Sequence, residues 1–216
     1  METTTKLLEK VREERQKVFF KGKLRGVSFP QNSAAQELSH IESSDSLDIP
    51  SSWCWVYFGE LINSIRSGST AVPTDEKSNY PILRSSSVRP LLVDLQDIRF
   101  LTVEQSLNHN NFLEEGVLLF TRLSGSLDYV GNCAIVRKLG GEKIQYPDRL
   151  FCAKLADFNL SAYSELCFAN SILRKFLTKN AKSSAGHQRI SIGDITGQPI
   201  PLPPLTEQKE IRLVFK

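Results

Sequence analysis

Four prolines within six residues near the C-terminus, in PIPLPPL at Pro199 to Leu205, constrain this chain more than any other stretch. Pro199, Pro201, Pro203 and Pro204 have a fixed φ and no amide hydrogen, so the segment is barred from helix and from the middle of a sheet. It is expected to run extended along an edge or surface. The flanking sequence gives it a place in an order: a polar basic loop from Ala185, an ISIGDI strand, the proline stop, and a new helix. Thr206 is positioned to cap that helix, Glu207 suits its positive end, and Ile211, Val214 and Phe215 recur at helical spacing.

The N-terminal segment has the matching pattern. Leu7, Leu8, Val11, Val18 and Phe19 share one helical face, while Lys10 with Glu14 and Glu13 with Lys17 pair on the other. No intramolecular partner for this apolar face is evident, so it is expected to pack on another helix. Gly22 and Gly26 end the helix, and Ser28 to Asp48, rich in Ser, Gln, Asn and Ala, is expected to be a linker.

With 216 residues, 40% of them hydrophobic, the chain can bury one full core. No apolar run reaches membrane length and the start is unlike a secretory signal, so a cytoplasmic protein is expected. Cys54, Cys133, Cys152 and Cys167 form no CxxC pair and have no histidine in ligand register, which favours buried free thiols over a metal site or disulfides.

The net charge of +3 is small, but it is unevenly placed. From Ser171 to Ser191 the only charges are Arg174, Lys175, Lys179, Lys182 and Arg189, interspersed with small residues and without a carboxylate. A basic last turn also complements a helix dipole, which is the alternative account of Arg174 to Lys179. Three further loops combine arginine with serine or glycine: Arg66 to Thr70, Arg84 to Ser87, and Arg122 to Ser126. Arginine offers a planar fork for guanine or phosphate, serine donates or accepts, and glycine removes bulk near a nucleic-acid backbone.

Between these loops WCWVYFGELINSI reads as a strand running into a short helix, with Trp53 and Trp55 as core residues. VLLFTRLSGSLDYVGNCAIV reads as a strand, a turn at Ser124 to Ser126 and a return strand. A helix from Tyr163 to Leu177 is expected to lay Leu166, Phe168, Ile172, Leu173, Phe176 and Leu177 on the domain. The expected fold is mixed α/β (α+β), a compact sheet-containing domain with helices at either end.

Catalytic signatures are missing. There is no NPPY or DPPY motif, no glycine-rich turn for S-adenosylmethionine and no Walker loop. Asp75, Glu76 and Lys77, and Asp148 in YPDRL, are better read as surface charge than as a nuclease centre. His40, His109 and His187 have no setting that suits a nucleophile and base.

Four segments, LLEKVREERQKV, IPSSWCWVYFGELINSIRSGST, GVLLFTRLSGSLDYVGNCAIV and KSSAGHQRISIGDITGQPIPLPPLTEQKEI, resemble the specificity subunits of type I restriction-modification systems. The similarity spans nearly the whole chain except residues 28 to 48. That resemblance implies a spacer helix at 1–27, a linker at 28–48, a target recognition domain at 49–204 and the start of a second conserved helix at 205–216. It implies one recognition domain where a full subunit has two, as in a second-half fragment or a naturally half-sized subunit.

The implied role is non-catalytic: reading one half of a split site in double-stranded DNA and recruiting the adenine methyltransferase (modification) subunit and the restriction subunit. No cofactor is expected in this chain, since S-adenosylmethionine and ATP would be bound by partner subunits. The residues expected to touch DNA are Arg66, Ser69, Arg84, Ser86, Arg122, Ser124, Ser126, Lys182, Ser184, His187 and Arg189. Leu7, Leu8, Val11, Val18 and Phe19 would form the partner-binding helix, and two copies could pair through their terminal helices to read a symmetric site. The competing expectation is a protein-interaction scaffold that uses those helices without binding DNA.

Overall fold

The computed structural model describes residues 4–20, 48–107, 111–179, 181–184 and 186–214. Its centre is a four-stranded antiparallel sheet in the order β2 (Ile62–Ser67), β10 (Leu150–Leu155), β7 (Leu118–Thr121), β9 (Cys133–Ile135). The strands alternate residue by residue between two cores, as a sheet buried on both faces requires. Leu118, Phe120, Cys133, Ile135, Phe151 and Ala153 join one core, while Leu119, Ala134, Val136, Leu150 and Cys152 join the other.

The first core is covered by helices. Here α3 (Phe158–Ala169) and α4 (Ser171–Lys179) lie beside the short 3₁₀ turn Phe58–Glu60, and Phe58, Phe120 and Phe168 meet edge to face at centroid distances of 4.8 to 5.7 Å. Each such pair adds about 0.5–1.5 kcal/mol beyond simple burial. Small hairpins cover the second core: β3 (Pro81–Leu83) with β6 (Ile98–Phe100), and β4 (Val88–Arg89) with β5 (Leu92–Val93). A five-residue helix, α2 (Val103–Leu107), follows β6.

The expected mixed α/β architecture is present, and the Val117 to Val136 segment is the expected pair of strands, β7 against β9. Trp53 and Trp55 are both half-buried, Trp55 against the first core and Trp53 edge to face with Tyr163.

Several local expectations are corrected. The stretch after Trp53 forms β1 (Cys54–Tyr57) and runs into the short 3₁₀ helix Phe58–Glu60, as expected, but Ile62 to Ser67 then forms a further strand, β2. The helix expected from Tyr163 to Leu177 is two helices: Asn170 Oδ1 accepts from the amides of Ile172 and Leu173 at 3.0 and 3.2 Å, capping α4 and ending α3. ISIGDI is not a strand. Ser191 Oγ accepts from the Asp194 amide and Asp194 Oδ2 accepts from the Ser191 amide, a reciprocal box that starts α5 (Ile192–Thr196).

The proline segment is extended along an edge, as its chemistry demands, yet it is buried. Pro199–Leu202 forms β13, antiparallel to β1 in a two-stranded sheet. Ile200 and Leu202 are fully buried. Prolines at alternate positions leave the amides of Ile200 and Leu202 on the other side of the strand, so β13 pairs along one edge only. The next helix, α6 (Leu205–Val214), begins one residue before Thr206, since the Gln208 amide already donates to the Pro204 carbonyl. Thr206 therefore lies inside the first turn and is not its cap. Glu207 instead accepts from Trp53 Nε1 at 2.7 Å, tying α6 to the start of β1. Ile211 packs on the first core, the side chain of Val214 is not among those described, and Phe215 lies outside the described residues.

The largest correction concerns the N-terminal helix α1 (Thr4–Phe20). Its apolar face is not open: Leu7 and Val11 are each 3% exposed within the first core, Leu8 packs beside them, and Thr4 Oγ1 donates to the Ser52 carbonyl. Leu7 and Val11 are occupied by the chain's own domain and are not available as a docking face for another subunit or a second copy, and Leu8 is partly covered by the same core. The side chains of Val18 and Phe19 are not among those described, and the helix end at Gly22 and Gly26, the expected linker up to residue 47, His40 and His109 lie outside the described residues.

Candidate nucleic-acid interface

A three-stranded antiparallel sheet brings distant parts of the sequence to one place. Strand β8 (Leu123–Ser124), which follows directly from β7, pairs with β12 (His187–Arg189), and β12 pairs with β11 (Lys182–Ser184). Gly186, at φ +76°, makes the turn between β11 and β12 in a conformation that side chains resist. Two clefts share this small sheet.

The first cleft, of about 550 Å³, is lined by Ser67, Arg122, Phe151, Lys182, Arg189 and the start of α5, including Asp194. Arg122 is half-buried: its guanidinium lies 5.3 Å over the Phe151 ring and donates to the Asp148 carbonyl at 3.1 Å. Lys182 and Arg189 face each other across the β11–β12 ladder, are exposed, and have no side-chain partner among the described residues. The one carboxylate of this cleft, Asp194, is engaged by the amide and hydroxyl of Ser191 at 2.7 Å.

The second cleft, of about 180 Å³, is lined by Ser85, Ser86, Arg89, Thr121, Ser124, Tyr129, Arg149 and His187. Among the described residues no carboxylate lines it. Arg89 sits 5.4 Å over the ring of Tyr129, and Arg149 is exposed with no side-chain partner among the described residues. The clefts together hold five Arg and Lys side chains, Arg89, Arg122, Arg149, Lys182 and Arg189, against the single engaged carboxylate. Such a field attracts a polyanion.

Six of the eleven DNA-contact candidates are gathered here: Arg122, Lys182 and Arg189 in the first cleft, Ser86, Ser124 and His187 in the second. Ser184 pairs through its backbone with His187, and its side chain is not among those described. The other four do not line either cleft. Ser69 is only 1% exposed and its hydroxyl accepts from the Ala71 amide, so it is unavailable to a ligand. Gly68 beside it serves a close backbone approach, since a Cβ there would stand 2.2 Å from the Tyr146 carbonyl oxygen. Arg66 donates to the Tyr146 hydroxyl at 3.2 Å; burial pushes that phenol well above its ordinary pKa, so it remains a neutral acceptor. Arg84 lies between Asp75 and Asp97 at 3.7 and 4.0 Å. Ser126 closes a local turn with Asp128.

Two other groups take structural places. Asp75, considered above for nuclease chemistry, is held by Arg99 at 2.8 and 3.0 Å. Arg174, part of the basic run, turns inward to donate to the Asp128 and Val130 carbonyls, and burial lowers its pKa. Arg89, Tyr129 and Arg149 were missed by sequence reasoning. Arg89 stands two residues after the Arg-Ser-Ser-Ser loop and precedes a proline, a turn signal that could have extended the loop to include it. Arg149 is adjacent to Asp148, which drew attention as a carboxylate. No local signal marks Tyr129.

Among the described residues no group of three His, Cys, Asp or Glu is arranged to hold a metal, and no helix is long and apolar enough to cross a membrane.

No protein-family model matches the chain. It is 39% identical over 154 residues, 71% of its length, to the type I restriction enzyme EcoKI specificity subunit of Escherichia coli K12. It is 23% identical over 217 aligned positions, 97% of its length, to the EcoEI specificity subunit of Escherichia coli. These alignments cover 33% and 35% of the relatives, so the chain spans about a third of their length. A solved chain from work on complex assembly and conformational transition of the type I R-M system superposes with a TM-score of 0.54 at 18% identity, covering 97% of this chain and 47% of that one. The shared fold and the sequence identity agree, and over the residues it shares with them the chain belongs to the family of type I restriction enzyme specificity subunits.

Proposed function

We propose that this chain reads DNA sequence for a type I restriction-modification system and performs no catalysis itself. One observation carries this: loops from around Ser85, Arg122, Arg149 and His187, far apart in sequence, meet around one small sheet that presents three cations, Arg149, Lys182 and Arg189, without side-chain partners among the described residues. Lys182, Arg189 and Arg149 are exposed and unpaired among the described residues, the state of side chains that neutralise phosphates. Serine hydroxyls beside them supply donors and acceptors for base edges.

In this account the domain at 49–204 recognises one half of a split double-stranded site. The modification subunit binds S-adenosylmethionine and methylates adenine, and the restriction subunit binds ATP and cuts. The chain acts in the cytoplasm, where its DNA lies. Partner subunits would dock elsewhere than on Leu7 and Val11, whose surface is already occupied.

The test is fluorescence anisotropy of the full chain with a mixed-sequence duplex. Arg149→Ala and Arg189→Ala are each expected to weaken binding several-fold, and together by about tenfold or more, with the fold unchanged. A scaffold that uses its helices alone would show no salt-dependent affinity for DNA and no effect of either substitution.

A further inference from the structure

We propose that Arg89, braced by the Tyr129 ring, is a base-reading side chain of the second cleft and that it takes the major-groove edge of a guanine. The proposal rests on the DNA-reading function above and divides the labour between the two clefts.

The cations of the interface differ in how firmly they are held. Lys182 and Arg189 stand exposed on the β11–β12 hairpin without side-chain partners among the described residues, so each can follow a phosphate wherever the DNA backbone runs. Arg89 is constrained twice. Its guanidinium lies over the Tyr129 ring at 5.4 Å and Nη1 donates to the Val88 carbonyl at 3.4 Å, two contacts that hold the group while its remaining N–H donors have no partner among the described residues. Its backbone belongs to β4, whose turn into β5 is unusually fixed.

That turn is Pro90–Leu91. Leu91 has a φ of +64°, a left-handed conformation costly for a residue with a β-carbon, and it is the one non-glycine residue with positive φ among those described. The strain is held from both sides: the Leu91 amide donates to the Cys133 carbonyl at 3.3 Å, and Arg137 donates to the Leu91 carbonyl at 3.4 Å. Arg137 is itself anchored by the buried carboxylate of Glu165. A chain of contacts thus runs from the core, through a strained turn, to one arginine at the mouth of a polar cleft. Strain retained in this way marks positions whose orientation matters.

A guanidinium fork has donors only, and guanine presents two adjacent acceptors, N7 and O6, on its major-groove edge. Adenine places a donor where O6 would be, and the fork meets hydrogen against hydrogen. Pre-organisation turns that difference into discrimination, about tenfold to a hundredfold for a well-placed bidentate pair. Tyr129, 52% exposed, acts as a positioning residue that orients the fork. Ser86, Ser124, Arg149 and His187 line the same cleft and flank the base.

The experiment is selection of bound duplexes from a library with a randomised centre, using the full chain, followed by sequencing. The wild type is expected to enrich a motif that contains a guanine. Arg89→Lys keeps the charge and loses the fork; it should lose its preference at one guanine by about tenfold or more, a larger loss than it shows on mixed-sequence duplex. Tyr129→Leu should weaken the same preference and Tyr129→Phe should restore it, which a merely structural role would not predict. Lys182→Ala with Arg189→Ala should weaken all sequences alike and keep the motif. An unchanged motif and preference in Arg89→Lys, or salt-dependent binding by the wild type with no motif at all, overturns the assignment of Arg89. Failure of the wild type to bind any duplex overturns instead the DNA-reading function on which it rests.

Discussion

Arg137→Ala tests the brace behind the interface. Glu165 lies in α3 with its side chain 1% exposed, and its carboxylate accepts from the Ile135 amide at 2.8 Å and from both terminal nitrogens of Arg137 at 3.1 and 2.6 Å. Removing the arginine leaves a buried charge with one hydrogen bond of three. Breaking a fully buried pair costs about 3–5 kcal/mol. Arg137 is 53% exposed, so water can reach the vacated side and the expected loss is nearer 2–3 kcal/mol.

For a chain of this size that corresponds to a fall in Tm of roughly 5–10 °C. Urea unfolding followed by the fluorescence of Trp53 and Trp55, the two tryptophans of the chain, measures it. Glu165→Gln removes the buried charge, so the double substitution should cost at least about 1 kcal/mol less than the sum of the singles. A loss below about 0.5 kcal/mol for Arg137→Ala, or strict additivity, would refute the claim that this pair is a coupled brace.

Three further outcomes follow from the packing. Gly68→Ala would drive a Cβ to 2.2 and 2.4 Å from the Tyr146 and Pro147 carbonyl oxygens, so a loss of about 3 kcal/mol or more is expected in the same unfolding assay. Glu207→Ala breaks the 2.7 Å bond to Trp53 Nε1 and frees the first turn of α6, which should cost about 1 kcal/mol and shift the indole emission. Burial pushes the Cys152 and Cys167 thiols up to about 12 from an ordinary value near 9. The folded state therefore keeps these protons when the unfolded chain gives them up, so stability is complete below pH 9 and falls between about pH 9 and 12. A urea midpoint that stays constant across that window would contradict it.

What the sequence made legible was local and periodic. Unbroken apolar runs through Leu118 to Phe120 and Cys133 to Ile135 marked the central strands, because each residue is buried on one face or the other. The proline segment was readable as an edge because proline chemistry leaves no alternative. What failed was the weighing of polar caps against apolar content. Ile190, Ile192 and Ile195 looked like a strand, yet the Ser191–Asp194 box decides a helix; Asn170 likewise splits one apolar helical run in two. The fate of Leu7 and Val11 depends on a surface more than forty residues away in sequence, the first core beside β2, and no local pattern announces it.

The site was legible by composition and illegible by geometry. Arg-Ser-Gly loops were the right chemistry, and the Arg122 loop and the His187 hairpin do meet. Ser69 and Arg84 share that chemistry but are consumed internally, one by burial and one by Asp75 and Asp97. Arg149 escapes notice because attention falls on its neighbour Asp148 and no serine or glycine stands beside it; only the turn into β10 places it at the second cleft.

The measurement that most directly tests the central claim is the salt dependence of binding of the full chain to duplex DNA. Three unpaired cations, Arg149, Lys182 and Arg189, each neutralising one phosphate and releasing about 0.9 counterion from the DNA, predict a slope of log K against log salt of about −2.7, flattened by about 0.9 in Arg149→Ala. Duplex binding that is absent, or that does not change with salt, would contradict the account.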